Sequence, residues 1–159
     1  METLASSVIA SLRAKGRTVA TCESLTGGMI ISTLVDVPGA SQVVRGGLVT
    51  YQTDTKTLLA DVPAALIGVM GVVCAEVARA MAEGVRKKLA VDIAVSATGM
   101  ASPGEPGEPP AGTVFVGIST PADTRALPLH LAGSRQEIRR QTVEQALRAL
   151  LTEINGGTK

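Results

Sequence analysis

Ser24 stands in the run Cys22-Glu23-Ser24-Leu25-Thr26-Gly27-Gly28, a hydroxyl set between an apolar segment and two glycines. A serine so placed has two uses. As a nucleophile, it attacks an acyl carbon once a neighbouring base takes its proton. As a helix cap, it satisfies a free backbone N–H, and Thr26 would serve equally well. The N–H groups of Thr26, Gly27 and Gly28, at a helix start, suit a phosphate or a developing oxyanion. The two glycines also let a ligand come close to the backbone.

A nucleophilic serine needs a proton acceptor. His130 is the only histidine and lies two residues beyond Pro128, in a segment that reads as an edge strand. A Ser-His-Asp triad would have to depend on it, and lone strand histidines are usually structural or solvated. Lysine is the other option when burial or nearby positive charge lowers its pKa. Lys56 follows Val49-Thr50-Tyr51 by a few residues, so Ser24, Lys56 and Tyr51 could form a proton relay. The plain alternative is a solvated lysine and a half-buried strand tyrosine. Glu23 has two readings, orienting Lys56 or capping a backbone N–H. Thr98-Gly99 end an apolar strand, at the same kind of sheet edge as Ser24. Arg135, Arg139 and Arg140 gather at the start of the last helix. They form either a phosphate clamp, since arginine binds phosphate in bidentate fashion, or a solvated face.

The elements that must position these groups follow from pattern. Thr3 to Lys15 reads as a helix stopped by Gly16, with Leu4, Val8, Ile9 and Leu12 at helical spacing. Thr18 to Cys22 reads as a buried strand. Thr26 opens a helix to about Val35, which Pro38-Gly39 ends. Val43 to Tyr51 is a strand with Gly46-Gly47 at a bulge. Asp54 to Leu59 is a short helix, and Pro63 and Gly68 mark loops. Cys74 to Leu89 is the clearest helix, with Val77, Ala80, Met81, Gly84 and Val85 on one face. Val91 to Ala97, Thr113 to Ser119 and Arg125 to Leu131 read as strands, the last an edge strand because Pro128 cannot donate to a ladder. Thr98 to Gly112 is a Pro/Gly-rich loop, too long for a plain connector. Ser134 to Ile154 is the final helix, opened by a Ser134/Glu137 capping box. The order predicts an α/β fold: one three-layer α/β/α domain over residues 1–159, with a partly parallel, mixed central sheet.

Composition narrows the function. Hydrophobic residues are 45% of the chain, but Tyr51 and Phe115 are its whole aromatic set. The core must be aliphatic, and there is almost nothing on which nucleic-acid bases could stack. A net charge of +1, with both signs interspersed, provides no field to hold DNA or RNA. Cys22 and Cys74 fit neither a metal spacing nor a disulfide framework, which favours a reducing cytoplasm. No stretch suits a signal peptide or a membrane span, and no residue cluster calls for a metal or other cofactor. The small size and apolar helices suggest a homo-oligomer, and a pocket completed by a neighbouring chain is compatible with that.

Six motifs in order carry a resemblance across nearly the whole chain. They are A-T-C-E-S-L-T-G-G at Ala20 to Gly28, D-V-P-G-A-S at Asp36 to Ser41, G-L-V-T-Y-Q-T-D-T-K at Gly47 to Lys56, G-V-V-C-A-E-V-A-R-A-M-A-E-G at Gly71 to Gly84, A-T-G-M-A-S-P at Ala97 to Pro103, and G-T-V-F-V-G at Gly112 to Gly117. The chain resembles the C-terminal domain of the CinA family, which also occurs as a stand-alone nicotinamide-nucleotide amidase. The resemblance implies a bacterial cytoplasmic enzyme. It would hydrolyse the carboxamide of nicotinamide mononucleotide to nicotinate mononucleotide and ammonia, in pyridine-nucleotide salvage. It implies Ser24 as nucleophile, Lys56 as base with Tyr51, and Thr98, Gly99 and Ala101 in the substrate pocket. Arg135 and Arg139 join them as expected substrate-binding residues from the arginine cluster. Three positions depart from the family pattern: Leu25 for a usual Cys, Cys74 for a usual Ser and Ser102 for a common Gly. Leu25 and Cys74 are expected to alter packing, and Ser102 to restrict the pocket loop if the backbone there needs positive φ. The rival reading is a non-catalytic pyridine-nucleotide-binding module of the same fold.

Overall fold

The computed structural model describes residues 2–157. Five strands form one sheet: β1 (Val19–Glu23), β2 (Val44–Val49), β3 (Ile93–Gly99), β4 (Thr113–Ser119) and β5 (Thr124–His130), in the order β2-β1-β3-β4-β5. β1 runs parallel to both β2 and β3, while β4 and β5 are antiparallel additions. The sheet is thus mixed, as the element order implies.

Helices cover both faces. α1 (Glu2–Lys15), α2 (Met29–Val35) and α6 (Arg135–Ile154) share one aliphatic core with the sheet, in which Ile9, Leu12, Ile30, Leu34, Ile138 and Leu147 are buried. α3 (Thr53–Ala60), α4 (Ala64–Met70) and α5 (Ala75–Leu89) lie on the other face, where Val77, Met81 and Val85 of α5 share a core with Ala20 and Cys22 of β1. Strands buried on both faces need side chains that pack either way, and β1 is buried at all five positions.

Four details differ from the pattern-based expectation. α2 begins at Met29, because residues 24–28 form a turn. Residues 64–70 form a helix, α4, where Pro63 and Gly68 suggest loops. Pro63 stands at its N-cap, a place where a missing N–H costs nothing, and Gly68 sits inside it. α4 is wholly apolar yet has no fully buried residue, and Val69 is 83% exposed. β3 continues to Gly99, so Thr98 and Gly99 belong to the sheet. The irregularity in β2 falls at Arg45: Val19 pairs with Val44 but Ala20 with Gly46. β5 is the edge strand that Pro128 requires. No described helix is long and apolar enough to cross a membrane.

The two parallel pairings bring the carboxyl ends of β1, β2 and β3 side by side: Glu23 is in register with both Val49 and Ala97. The segments leaving those ends begin at Ser24, Thr50 and Met100. In open α/β sheets this edge is where ligands bind.

Candidate active site

Ser24 leaves β1 with its N–H on the Ala97 carbonyl at 2.9 Å, and the Thr50 N–H donates to the Glu23 carbonyl at 2.8 Å. These bonds extend the ladder to the serine itself. The chain then turns sharply, with the Gly27 N–H donating to the Ser24 carbonyl at 3.0 Å. Gly27 takes φ +60° and Gly28 φ +96°, which a side chain would strain.

Glu23 holds this turn. Its buried carboxylate accepts from the N–H groups of Gly28 (3.0 Å), Ile30 (3.0 Å) and Ile31 (2.9 Å), and from the Thr21 hydroxyl (3.2 Å). A negative charge at the positive end of α2 is favourable. Of its two readings, capping is therefore the one the structure shows. The start of α2 is already filled by an internal anion. Of the three N–H groups expected to face a ligand, those of Gly27 and Gly28 are engaged within the protein.

Lys56 comes from α3 and is 1% exposed. Its Nζ donates to the Thr50 carbonyl at 2.8 Å and to the Ser24 Oγ at 3.2 Å. Burial pushes its pKa below the usual 10.5, opposed by the nearby Cys22, whose thiolate form favours the charged amine. The Cys22 thiol, buried on the same side of β1, is pushed up to about 11 by burial. No described residue carries a carboxylate bonded to Lys56. A deeply buried lysine without an anionic partner is costly, and neutralises more readily than a solvated one. His130 is on β5, with β3 and β4 between it and β1.

Ser24 is 8% exposed and opens on a pocket of about 280 Å³, near the lower end for small-molecule sites. Tyr51, Thr98, Gly99, Ala101, Ser102 and Arg135 are among its lining residues. Larger clefts lie beside Arg13 and Arg17 and between α3 and α4, but Ser24 lines neither. The Thr98 hydroxyl donates to the Val72 carbonyl at 2.8 Å and so fixes the wall before α5. A side chain at Gly99 would press on Val114 and on the Thr113 carbonyl, at 2.7 and 2.8 Å from its Cβ.

Two expected contacts turn out differently. Tyr51 lines the pocket but is 56% exposed, and its hydroxyl accepts from Arg135 Nη2 at 3.0 Å; it makes no hydrogen bond to Ser24 or Lys56. Arg139 points its Nε at the Leu25 carbonyl (2.8 Å) and its Nη2 at the Thr26 carbonyl (3.2 Å), so it grips the turn and does not line the pocket. Arg135 does line it, and its Nη1 donates to the Ser102 hydroxyl at 3.1 Å. Ser102 does not need a glycine backbone: Asp61 and Ala90 are the described non-glycine residues with positive φ. Leu25 is buried in the core, and Cys74 caps α5, its Sγ accepting from the Val77 N–H at 3.5 Å. The Ser102–Arg135–Tyr51 chain could not be read from sequence, because nothing local to these three residues links them.

The geometry defines an α/β domain with a buried lysine on a serine hydroxyl at the carboxyl edge of its sheet. The CinA C-terminal domain model matches residues 1–154, and the chain belongs to that family. It is 41% identical over 147 residues to a CinA-like protein of Acidobacterium capsulatum, covering 92% of this chain and 36% of that protein. It is 40% identical over 154 residues to a putative competence-damage inducible protein of a Geobacillus strain, covering 96% and 37%. The chain thus spans little more than a third of these relatives. Among solved structures, a competence/damage inducible protein of Agrobacterium tumefaciens superposes with a TM-score of 0.92 at 33% identity, covering 97% of this chain and 94% of that one. A CinA superfamily protein of Klebsiella pneumoniae superposes with 0.93 at 26% identity, covering 97% of each.

Proposed function

We propose that this domain is a nicotinamide-nucleotide amidase, hydrolysing nicotinamide mononucleotide to nicotinate mononucleotide and ammonia. The observation that carries the reading is the bond between Lys56 Nζ and Ser24 Oγ, in a place where burial favours the neutral amine. The charged lysine donates to the serine oxygen. Once neutral, it presents a lone pair there and accepts the hydroxyl proton instead.

Ser24 Oγ then bonds to the carboxamide carbon while the C=O electron pair moves onto oxygen. The proton on Lys56 passes to the amide nitrogen, the C–N bond breaks and ammonia leaves. Water, deprotonated by the same lysine, cleaves the acyl-serine ester to the carboxylate. The relay consists of Ser24 and Lys56. Tyr51 and Arg135 form the outer wall, where the guanidinium is exposed to a substrate phosphate. Thr98, Gly99 and Ala101 shape the floor under the ring.

The test is release of ammonia from nicotinamide mononucleotide, followed for the wild-type chain, Ser24→Ala and Lys56→Ala. Wild-type turnover lost in both variants supports the assignment. Thermal stabilisation by the nucleotide without any ammonia would instead mark a binding module.

A further inference from the structure

Lys56 Nζ has two acceptors, and they differ in kind. The Thr50 carbonyl, at 2.8 Å, can only accept. The Ser24 hydroxyl, at 3.2 Å, can accept or donate. A charged amine donates to both. A neutral amine has two N–H donors and one lone pair, so the carbonyl keeps an N–H and only the bond to Ser24 can reverse. The carbonyl is itself held in place. Thr50 is fully buried, its N–H donates to the Glu23 carbonyl at 2.8 Å, and its hydroxyl lies 3.7 Å from the Cys22 Sγ. Both contacts tie the residue after β2 to β1, the strand that delivers Ser24. The ionisable groups around the amine leave this arrangement intact. β1 offers the Cys22 thiol, while Glu23 sends its carboxylate to α2. On α5, Glu76 pairs with Arg79 and Lys88 with Asp61 at the end of α3, and α4 has no ionisable residue. A carboxylate in place of the carbonyl would hold the ammonium form and keep the proton on lysine. A neutral acceptor orients the amine without that charge.

We infer that Thr50 is a positioning residue for proton transfer: its main-chain carbonyl holds one N–H of Lys56 so that the amine lone pair faces the Ser24 hydroxyl. The inference rests on the amidase reading of Ser24 and Lys56. It gives the base an orienting partner from the backbone, in the role that a third group fills beside other nucleophile–base pairs.

The experiment weakens that carbonyl alone. An α-hydroxy acid in place of Tyr51, with the tyrosine side chain kept, turns the Thr50–Tyr51 amide into an ester, whose carbonyl is a poorer acceptor. The Tyr51 N–H lost in the exchange makes no hydrogen bond among the described residues. Wild type and ester-linked protein are followed across pH with p-nitrophenyl acetate and with nicotinamide mononucleotide. With the acetate, the Ser24 oxygen–acetyl bond forms, the acetyl–aryl oxygen bond breaks and the serine proton goes to Lys56. Nitrophenolate then appears as a burst. In the ester-linked protein the burst rate on the high-pH plateau is expected to fall about 3- to 10-fold, the weight of one hydrogen bond. Its pH midpoint moves down by about half to one pH unit, because the ammonium form loses strength in an acceptor. With the nucleotide, kcat follows the burst and KM does not move. Thr50→Gly, which keeps the carbonyl but frees its dihedrals, shifts both in the same directions, and Thr50→Ser stays nearer wild type. Misfolding alone would lower the burst amplitude and leave the midpoint in place. A plateau rate or a midpoint equal to wild type in the ester-linked protein overturns the inference, as does a midpoint that moves up. A wild-type burst without ammonia from the nucleotide, with both shifts still present, sinks the amidase reading alone. The absence of any wild-type burst or ammonia sinks the two together.

Discussion

Lys56 Nζ lies 3.2 Å from Ser24 Oγ and 2.8 Å from the Thr50 carbonyl, and the lysine is buried. The two residues are 32 apart in the chain and meet because β1 and β2 are parallel neighbours, with α3 folding back from the end of β2. Burial lowers the lysine pKa. Activity should therefore rise with pH through a midpoint below 10.5 and then level off. Lys56→Arg keeps its charge at all these pH values and should lower kcat by about 10²–10⁴. A rate that does not change with pH in the wild type would remove Lys56 as the base.

The same shift has a consequence for stability. Between the depressed folded pKa and the usual 10.5, the unfolded chain binds more protons than the folded one. Stability from this group thus increases with pH across that window, and its cost is full below the folded pKa. Urea unfolding of wild type and Lys56→Met, from neutral pH upward, should show the wild type gaining on the variant.

Glu23 accepts four hydrogen bonds while fully buried, three of them from the start of α2. Glutamine offers one acceptor oxygen and turns an NH₂ toward N–H donors. Glu23→Gln should cost about 2–3 kcal/mol in urea unfolding, from the loss of charge-assisted bonds. It should also lower kcat, because the Ser24 turn would shift. An unchanged unfolding midpoint would deny Glu23 its capping role.

Arg135 is exposed and lines the pocket, held by Ser102 and Tyr51. Arg135→Ala should raise KM for nicotinamide mononucleotide about 10- to 100-fold, through the loss of one charge-assisted contact, with kcat less affected. Ser102→Gly, which removes one brace, should raise it about 2- to 10-fold. Equal effects on an amide without phosphate would place the phosphate elsewhere.

Cys74 caps α5 through a long thiol contact. A hydroxyl accepts more strongly at shorter range, so Cys74→Ser should stabilise the fold by about 0.5–1 kcal/mol. That would raise Tm by roughly 1–4 °C in a chain of this size. A lower Tm would mean that the thiol contributes more by packing than by capping.

Local pattern was enough to predict the strands and most helices. Periodicity marked α5, the capping box marked α6 and Pro128 marked the edge strand. The missed helix, α4, follows Pro63 and contains Gly68, residues that usually break helices, and the late start of α2 follows from Glu23 capping it across the turn. That bond links residues seven apart, beyond the reach of local propensity.

The candidate residues divide in the same way. Their types and ordered motifs are a property of the chain, and they singled out Ser24, Lys56, Thr98 and Gly99 before any fold was known. Which group touches which was decided only in three dimensions. Lys56 reaches the serine, Tyr51 goes to Arg135, Arg139 grips the turn and Glu23 fills the helix end. A hydrogen bond depends on distances of a few tenths of an ångström and on which side of a strand a residue faces. Composition and spacing do not carry that information, because the packing of α3 and α6 onto the sheet sets it.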